Sequence, residues 1–192
     1  MNSENGIPEL VAATGALPAG RYSATMEAVQ SRFGTSTDRR AKLWDDFLTA
    51  TALLRSHVPV CAVWMGGSYF TIKPEPDDID CVFLVEASAA ESAINESAAV
   101  IGAFASGKSV RRGLGLELDT FILPWAPDAT TGMSHPFVRD YYRTRGYWDD
   151  LWSKMRSGSK GATPVKLDSH PRRGYLEVIL DGYPEIGPFY AD

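Results

Sequence analysis

The sequence predicts an α/β protein with a small mixed β-sheet whose helices pack on one side. Three segments have strand character, because residues 60–65 form an apolar run and residues 78–85 and 115–125 are apolar or alternate with polar residues. Residues 38–56 carry apolar side chains at helical spacing and no glycine. A helix that leads directly into a buried strand is typical of an α/β domain.

Composition restricts the class of protein. At 192 residues the chain is long enough for one domain with a substantial core, and its net charge of −5 argues against indiscriminate nucleic-acid binding. The apolar runs are too short to cross a bilayer, and the first four residues lack the basic and apolar regions of a signal peptide. We therefore expect a cytoplasmic protein that does not bind a membrane.

The chain divides into an N-terminal arm and a single domain. Residues 1–24 contain Pro8, Gly15, Pro18 and Gly20 but few periodic apolar positions, which predicts an irregular arm that packs on the domain or becomes ordered with a partner. Residues 25–192 form the predicted domain, in which Cys61 and Cys81 lie in buried strands and are expected to be core thiols.

The segment most suggestive of chemistry connects the first two strands. After the apolar run the chain turns at Gly67 and Ser68, where backbone without a Cβ lets a ligand approach closely. The next strand begins with Asp78 and Asp80, whose side chains project from the same face because strand residues two apart do so. Two neighbouring carboxylates repel each other unless a cation lies between them, and Mg²⁺ prefers such hard oxygen ligands.

This arrangement resembles a known signature. Gly67-Ser68, nine intervening residues and then Asp78-Ile79-Asp80 are similar to the motif of the DNA polymerase β-like nucleotidyltransferase superfamily. The similarity extends to compact bacterial members, including the minimal nucleotidyltransferases of toxin–antitoxin pairs. The segments LPAGRYSATMEAVQSRF and GSYFTIKPEPDDID also resemble uncharacterised bacterial proteins that carry this domain.

The resemblance implies an activity and a role for each motif residue. The activity is transfer of a nucleoside monophosphate from an NTP to an acceptor hydroxyl, which depends on two Mg²⁺ ions, with Mn²⁺ as a substitute. Asp78 and Asp80 would hold the metal ions, and Gly67 and Ser68 would contact the β and γ phosphates. Lys73, within the spacer, is a further candidate for a phosphate contact.

The superfamily commonly places a third carboxylate on a neighbouring strand. Asp119 and Glu117 are both candidates on the segment 115–125, and alternation cannot choose between them because both point to the same face. We favour Asp119, since its apolar neighbours Leu118 and Phe121 suggest a position further into the sheet. Asp119 would complete one metal site and accept the proton of the attacking hydroxyl.

A second motif points elsewhere. Residues 102–109, GAFASGKS, match the Walker A pattern, but a P-loop must follow a strand and begin a helix. A helix-like segment, predicted over 86–104, comes before this motif, and residues 110–115 contain two glycines without helical periodicity. We therefore interpret Lys108 as part of an ordinary loop.

The segment 139–173 has a local surplus of basic residues. It contains nine Lys or Arg and four Asp, and it includes Arg143 and Arg145 on a predicted aromatic-rich helix. These two arginines are candidates for binding the acceptor, which would be a protein such as a cognate toxin, or a tRNA. The alternative hypothesis is a non-catalytic antitoxin or partner-binding protein of the same fold.

Overall fold

The computed structural model describes residues 6–125, 136–159 and 161–183, with backbone alone at 136–137. The strands are β1 Gly20–Ala24, β2 Val60–Gly66, β3 Ile79–Glu86, β4 Leu118–Trp125 and β5 Gly174–Ile179. The helices are α1 Met26–Val29, α2 Asp38–Arg55, α3 Ala87–Ser92, α4 Asn95–Phe104, α5 Ser109–Leu114 and α6 Pro136–Ser153.

The five strands form one mixed sheet in the order β1-β5-β2-β3-β4. The central strand β2 runs antiparallel to both of its neighbours, β5 and β3. The outer pairs, β1 with β5 and β3 with β4, are parallel. The predicted α/β class with a small mixed sheet is confirmed. The parallel β3–β4 pair requires a crossover, and residues 87–117 supply one that contains α3, α4 and α5.

The helices cover both faces of the sheet, which corrects the expectation that they pack on one side. On one face Phe47 of α2 stacks on Phe83 of β3, with 6.4 Å between ring centroids. On the other face α6 packs Trp148 and Trp152 against the aromatic side chains of the sheet, and Trp152 lies 5.7 Å from Tyr175. The aromatic stripe of α6 is therefore core, because large rings at helical spacing must bury one helix face.

The N-terminal arm belongs to the sheet, so the predicted boundary at residue 24 does not separate arm from domain. Its last five residues are β1, and Ile7 and Leu17 are buried in the core. Gly174 of β5 lets the arm approach closely, since a Cβ there would overlap the carbonyl oxygen of Pro18. Because β1 pairs with a strand from the far end of the chain, no hairpin turn beside it indicates the strand in the sequence.

The crossover also differs from its prediction in detail. The helix expected over 86–104 is two helices, α3 and α4, and a further helix, α5, forms where no helical period was found. Gly115 ends α5 in the left-handed region, with φ 71°. No helix within the described part of the chain is long and apolar enough to cross a membrane.

Candidate active site

Three carboxylates meet at one end of the sheet, on the face that α6 covers. Asp80 of β3 lies opposite Asp119 of β4 in the parallel register, and Asp78 immediately precedes β3. Ile79 and Cys81 alternate with Asp80 and are buried in the core of the opposite face. We call Asp78, Asp80 and Asp119 the carboxylate cluster.

Burial and mutual repulsion disfavour the ionised forms of Asp78 and Asp80 in the carboxylate cluster. Burial, together with the charge of Asp78, raises the pKa of Asp80 to about 6. Burial also raises the pKa of Asp78, and repulsion from Asp119 adds to the effect. The Oδ1 atom of Asp119 is buried and has no hydrogen-bond partner in the described structure. Such a site favours either protons or a cation.

The donor chemistry of the carboxylate cluster suits Mg²⁺, but the side chains are not gathered around a single point. Among the described residues, no group of three His, Cys, Asp or Glu is arranged to hold a metal ion. Arg111 of α5 instead contacts Asp78, with 3.2 Å between Nη1 and Oδ2. The unpartnered Oδ1 of Asp119 and the raised pKa of Asp80 are the features that fit a cation.

The glycine turn packs directly against this cluster. Gly67 has φ 83°, and a Cβ built on it would overlap Oδ2 of Asp80. Only glycine can therefore occupy the position without moving the carboxylate. Ser68 begins a single 3₁₀ turn, and its carbonyl accepts a hydrogen bond from the Thr71 hydroxyl at 2.7 Å. The turn thus places a residue without a Cβ directly beside Asp80.

A buried arginine holds the chain that follows the turn. The guanidinium of Arg40, on α2, donates to the carbonyls of Tyr69, Thr71 and Lys73 at 2.7, 2.8 and 2.7 Å. It also donates to the carbonyl of Phe33 at 3.3 Å. The sequence analysis missed this residue, although Arg40 falls one helical turn before the core residue Leu43 and could have been recognised as inward-facing.

The structure distinguishes the two candidates for the third carboxylate. Glu117 precedes β4 and forms ion pairs with Arg39 and Lys42, the latter at 3.2 Å, and with Arg111 at 3.8 Å. These cations lower the pKa of Glu117, with the hydrogen bond from Arg39 as the largest cause. Asp119, in contrast, lies in register with Asp80, so it is the member of the carboxylate cluster that β4 supplies.

The spacer lysine is engaged away from the cluster. The Lys73 amine contacts Asp77 at 2.9 Å, and its backbone carbonyl accepts a hydrogen bond from Arg40. The cations that face the carboxylates are Arg111, Lys108 and Arg173, to which the sequence analysis assigned no role at the site. Arg173 donates from Nε to the carbonyl of Trp152 at 3.0 Å; burial lowers its pKa and the charge of Asp80 opposes this effect.

The two arginines proposed for acceptor binding have different surroundings. Arg143 is exposed on α6, with 75% of its side chain accessible and a carboxylate of Asp140 at 3.9 Å. Arg145 lies with its guanidinium 5.9 Å from the ring centroid of Trp64. It lines a cavity of about 280 Å³, which we call the aromatic pocket. The pocket is formed by Arg21, Trp64, Leu84, Trp125, Tyr141, Tyr142, Arg145, Glu177 and Tyr183.

Comparison with known proteins places the chain in a family. Residues 8–179 match a family of unknown function, DUF6932. The chain belongs to this family. The DUF6932 region includes all five strands, and therefore both the carboxylate cluster and the glycine turn. No curated protein and no solved structure matches the chain.

Proposed function

We propose that this DUF6932 protein is a metal-dependent nucleotidyltransferase that moves a nucleoside monophosphate from an NTP to a hydroxyl of an acceptor. One observation carries the proposal. Asp80 and Asp119 lie side by side in register, with Asp78 two residues from Asp80, and Gly67, which has no Cβ, packs against Asp80. A concentrated negative charge beside backbone that a phosphate can approach is what nucleotidyl transfer requires.

The residues of the site have distinct roles in this reaction. Asp78, Asp80 and Asp119 would hold Mg²⁺ or Mn²⁺, which when bound supplies positive charge for the triphosphate. Gly67 and Ser68 bind the phosphates and orient the α-phosphorus. The acceptor oxygen forms a bond to that phosphorus, the bond to the β-phosphate oxygen breaks, and pyrophosphate leaves. Asp119 accepts the hydroxyl proton at Oδ1, the atom that has no hydrogen-bond partner among the described residues.

The decisive test replaces one carboxylate at a time. We expect Asp80→Asn and Asp78→Asn to abolish labelling of any acceptor when the protein is incubated with labelled NTPs, Mg²⁺ and host lysate. The fold should remain intact, since each change removes charge repulsion. Asp45→Asn, an equal change on the exposed side of α2, is the matched control and should keep full activity. Full labelling by Asp80→Asn would exclude this mechanism.

A second candidate is a non-catalytic antitoxin or partner-binding protein of the same fold. The contact between Arg111 and Asp78, together with the lack of a three-ligand group among the described residues, favours it. The same experiment separates the two, because labelling identifies a protein or tRNA acceptor only if transfer occurs. A complex with a partner protein that forms equally well with Asp80→Asn and without NTP would support the second candidate.

A further inference from the structure

Two cations of the crossover face the carboxylate cluster from α5 and the residue before it. Arg111 contacts Asp78 at 3.2 Å, and its second nitrogen lies 3.8 Å from Glu117. Lys108 is exposed, yet its charge opposes the burial and repulsion that raise the pKa of Asp78 and of Asp80. Both side chains therefore share the electrostatic environment of the carboxylates.

The backbone that carries these cations is tied to the strand of Asp119. Gly107 and Thr120 exchange two hydrogen bonds, with N–H to carbonyl distances of 2.9 and 3.1 Å. Val110, within α5, is fully buried. Since Thr120 directly follows Asp119, this pairing holds Lys108 and Arg111 at a set position relative to the cluster.

We propose that Lys108 and Arg111 bind the phosphates of the nucleotide, and that Arg111 leaves Asp78 for a phosphate oxygen when a divalent cation binds the carboxylates. The inference rests on the proposed nucleotidyl transfer. In the described structure Arg111 compensates the charge of half-buried Asp78 at ion-pair distance, while Lys108 acts on it from further away. A planar guanidinium binds carboxylate and phosphate oxygens with the same geometry, so the exchange conserves its hydrogen bonds.

The glycine turn alone cannot neutralise the charge of the phosphates. Gly67 and Ser68 offer backbone and a hydroxyl but no positive charge, and the Lys73 amine is paired with Asp77. A triphosphate and the three carboxylates together carry more negative charge than one or two divalent ions neutralise. Lys108 and Arg111, from the crossover, supply positive charge that the glycine turn lacks.

In this proposal the Walker-like segment, residues 102–109, contributes Lys108 to phosphate binding without being a P-loop. A helix, α4, precedes it, whereas a P-loop requires a strand. A helix does follow, contrary to the sequence analysis, but α5 has only six residues. The contribution of Lys108 is therefore the charge of its side chain, not a backbone cradle for phosphate.

The test measures binding of two ligands, because the exchange predicts that one substitution changes their affinities in opposite directions. Arg111→Gln should tighten Mn²⁺ binding in the absence of nucleotide by about threefold, because Asp78 loses a competing cation. The same variant should weaken binding of N-methylanthraniloyl-labelled NTPs in the presence of Mg²⁺ by about tenfold, because a charged hydrogen bond to phosphate is lost. Mn²⁺ affinity is measured by paramagnetic resonance and nucleotide affinity by fluorescence.

Lys108→Gln and a neighbouring arginine complete the design. Lys108→Gln should weaken nucleotide binding by about fivefold, less than Arg111→Gln because Lys108 is exposed. Arg112→Gln is the matched control, since Arg112 is the adjacent arginine and is exposed. It should change neither affinity by more than about twofold.

The outcomes separate this inference from the function it rests on. Equal nucleotide affinities for Arg111→Gln and Arg112→Gln would overturn the inference, and if Asp80→Asn still abolishes transfer the proposed function stands. If Arg111→Gln weakened the binding of both Mn²⁺ and nucleotide, Arg111 would have a structural role and the inference would also be overturned. If the wild-type protein binds Mn²⁺ but none of the four labelled NTPs, both proposals fail.

Discussion

The face of the sheet under α6 carries carboxylates at two ends, and these differ in how many hydrogen-bond partners they have. In the aromatic pocket, Glu177 accepts hydrogen bonds from Trp64 Nε1 at 2.8 Å and from the Tyr183 hydroxyl at 2.9 Å, and Arg21 lies 3.7 Å away. In the carboxylate cluster, Asp119 Oδ1 has no partner in the described structure and the pKa of Asp80 is raised to about 6. The carboxylate of the pocket therefore has hydrogen-bond partners, whereas a buried carboxylate oxygen of the cluster has none within the described structure.

Under the proposed function, this contrast assigns the pocket to stability and the cluster to chemistry. Glu177 links β5 to β2 through a hydrogen bond from Trp64 and to β1 through an ion pair with Arg21, so these two contacts join three strands. The carboxylate cluster concentrates like charge at a cost to folding, which is expected where a ligand will supply the missing compensation. Arg145 lies in the first region and the glycine turn in the second, so the candidate acceptor residue and the candidate phosphate residues are separated along the sheet.

Gly67→Ala should have the largest effect, because it acts where backbone and carboxylate are in contact. The left-handed φ of 83° and the overlap of a Cβ with Asp80 should together lower the free energy of unfolding by about 3 kcal/mol and abolish transfer. Urea unfolding measures the first effect. Gly102→Ala is the control: its Cβ meets nothing within 4 Å in helix α4, so it should raise stability by about 0.5 to 1 kcal/mol. Equal stability of the two variants would contradict the packing of Gly67 on Asp80.

Removing a negative charge should have opposite effects at the two ends. In the metal-free protein at pH 7, Asp80→Asn should raise the free energy of unfolding by about 2 kcal/mol, because the buried carboxylate no longer has to ionise. Glu177→Gln should lower it by about 1 to 2 kcal/mol, because weaker acceptors replace the charged ones for Trp64 and Tyr183. If both substitutions changed the free energy of unfolding in the same direction, the distinction between the pocket and the cluster would be wrong.

The pH dependence of stability gives an internal control for that prediction. The folded-state pKa of Asp80 is raised above its ordinary value, so its contribution to stability is full below about pH 4 and is lost as pH rises through about 6. Between pH 5 and 7 the metal-free wild-type protein should lose stability relative to Asp80→Asn. Saturating Mg²⁺ should reduce this difference, since a bound cation favours the ionised form.

The smallest effects concern the two arginines of α6. Arg145→Ala should cost about 1 kcal/mol of unfolding free energy, because its guanidinium packs over the rings of Trp64 and Tyr141. Arg143→Glu should change stability by less than about 0.5 kcal/mol, since Arg143 is exposed. If α6 docks the acceptor, Arg143→Glu weakens acceptor labelling without weakening nucleotide binding. Unchanged labelling would place the docking surface elsewhere.

The sequence was sufficient for the local features of the site. Apolar runs located β2 and β3, and the alternation of strand residues placed Asp78 and Asp80 together at the start of β3. The choice of Asp119 over Glu117 depended on the apolar character of its neighbours, and the β3–β4 register agrees with it.

The remaining features depend on contacts between distant parts of the chain. Strand β1 is specified by its pairing with β5, and the position of α6 by ring contacts with Phe121 of β4 and Tyr175 of β5. The contact of Arg111 with Asp78 arises because α5 is held against β4. Neither periodicity nor motif spacing contains this information, since it lies in the packing of elements far apart in sequence.

The hydrogen bonds of Arg40 have a consequence for how the glycine-turn region moves. One guanidinium on α2 holds carbonyls at 69, 71 and 73, so this short segment is anchored to a long helix of the core. Its opening to solvent should require disruption of α2, and amide hydrogens of the two segments should exchange as one cooperative unit. The nucleotide would then meet a preformed wall on this side, and adaptation to different bases or acceptors would fall to elements that Arg40 does not reach.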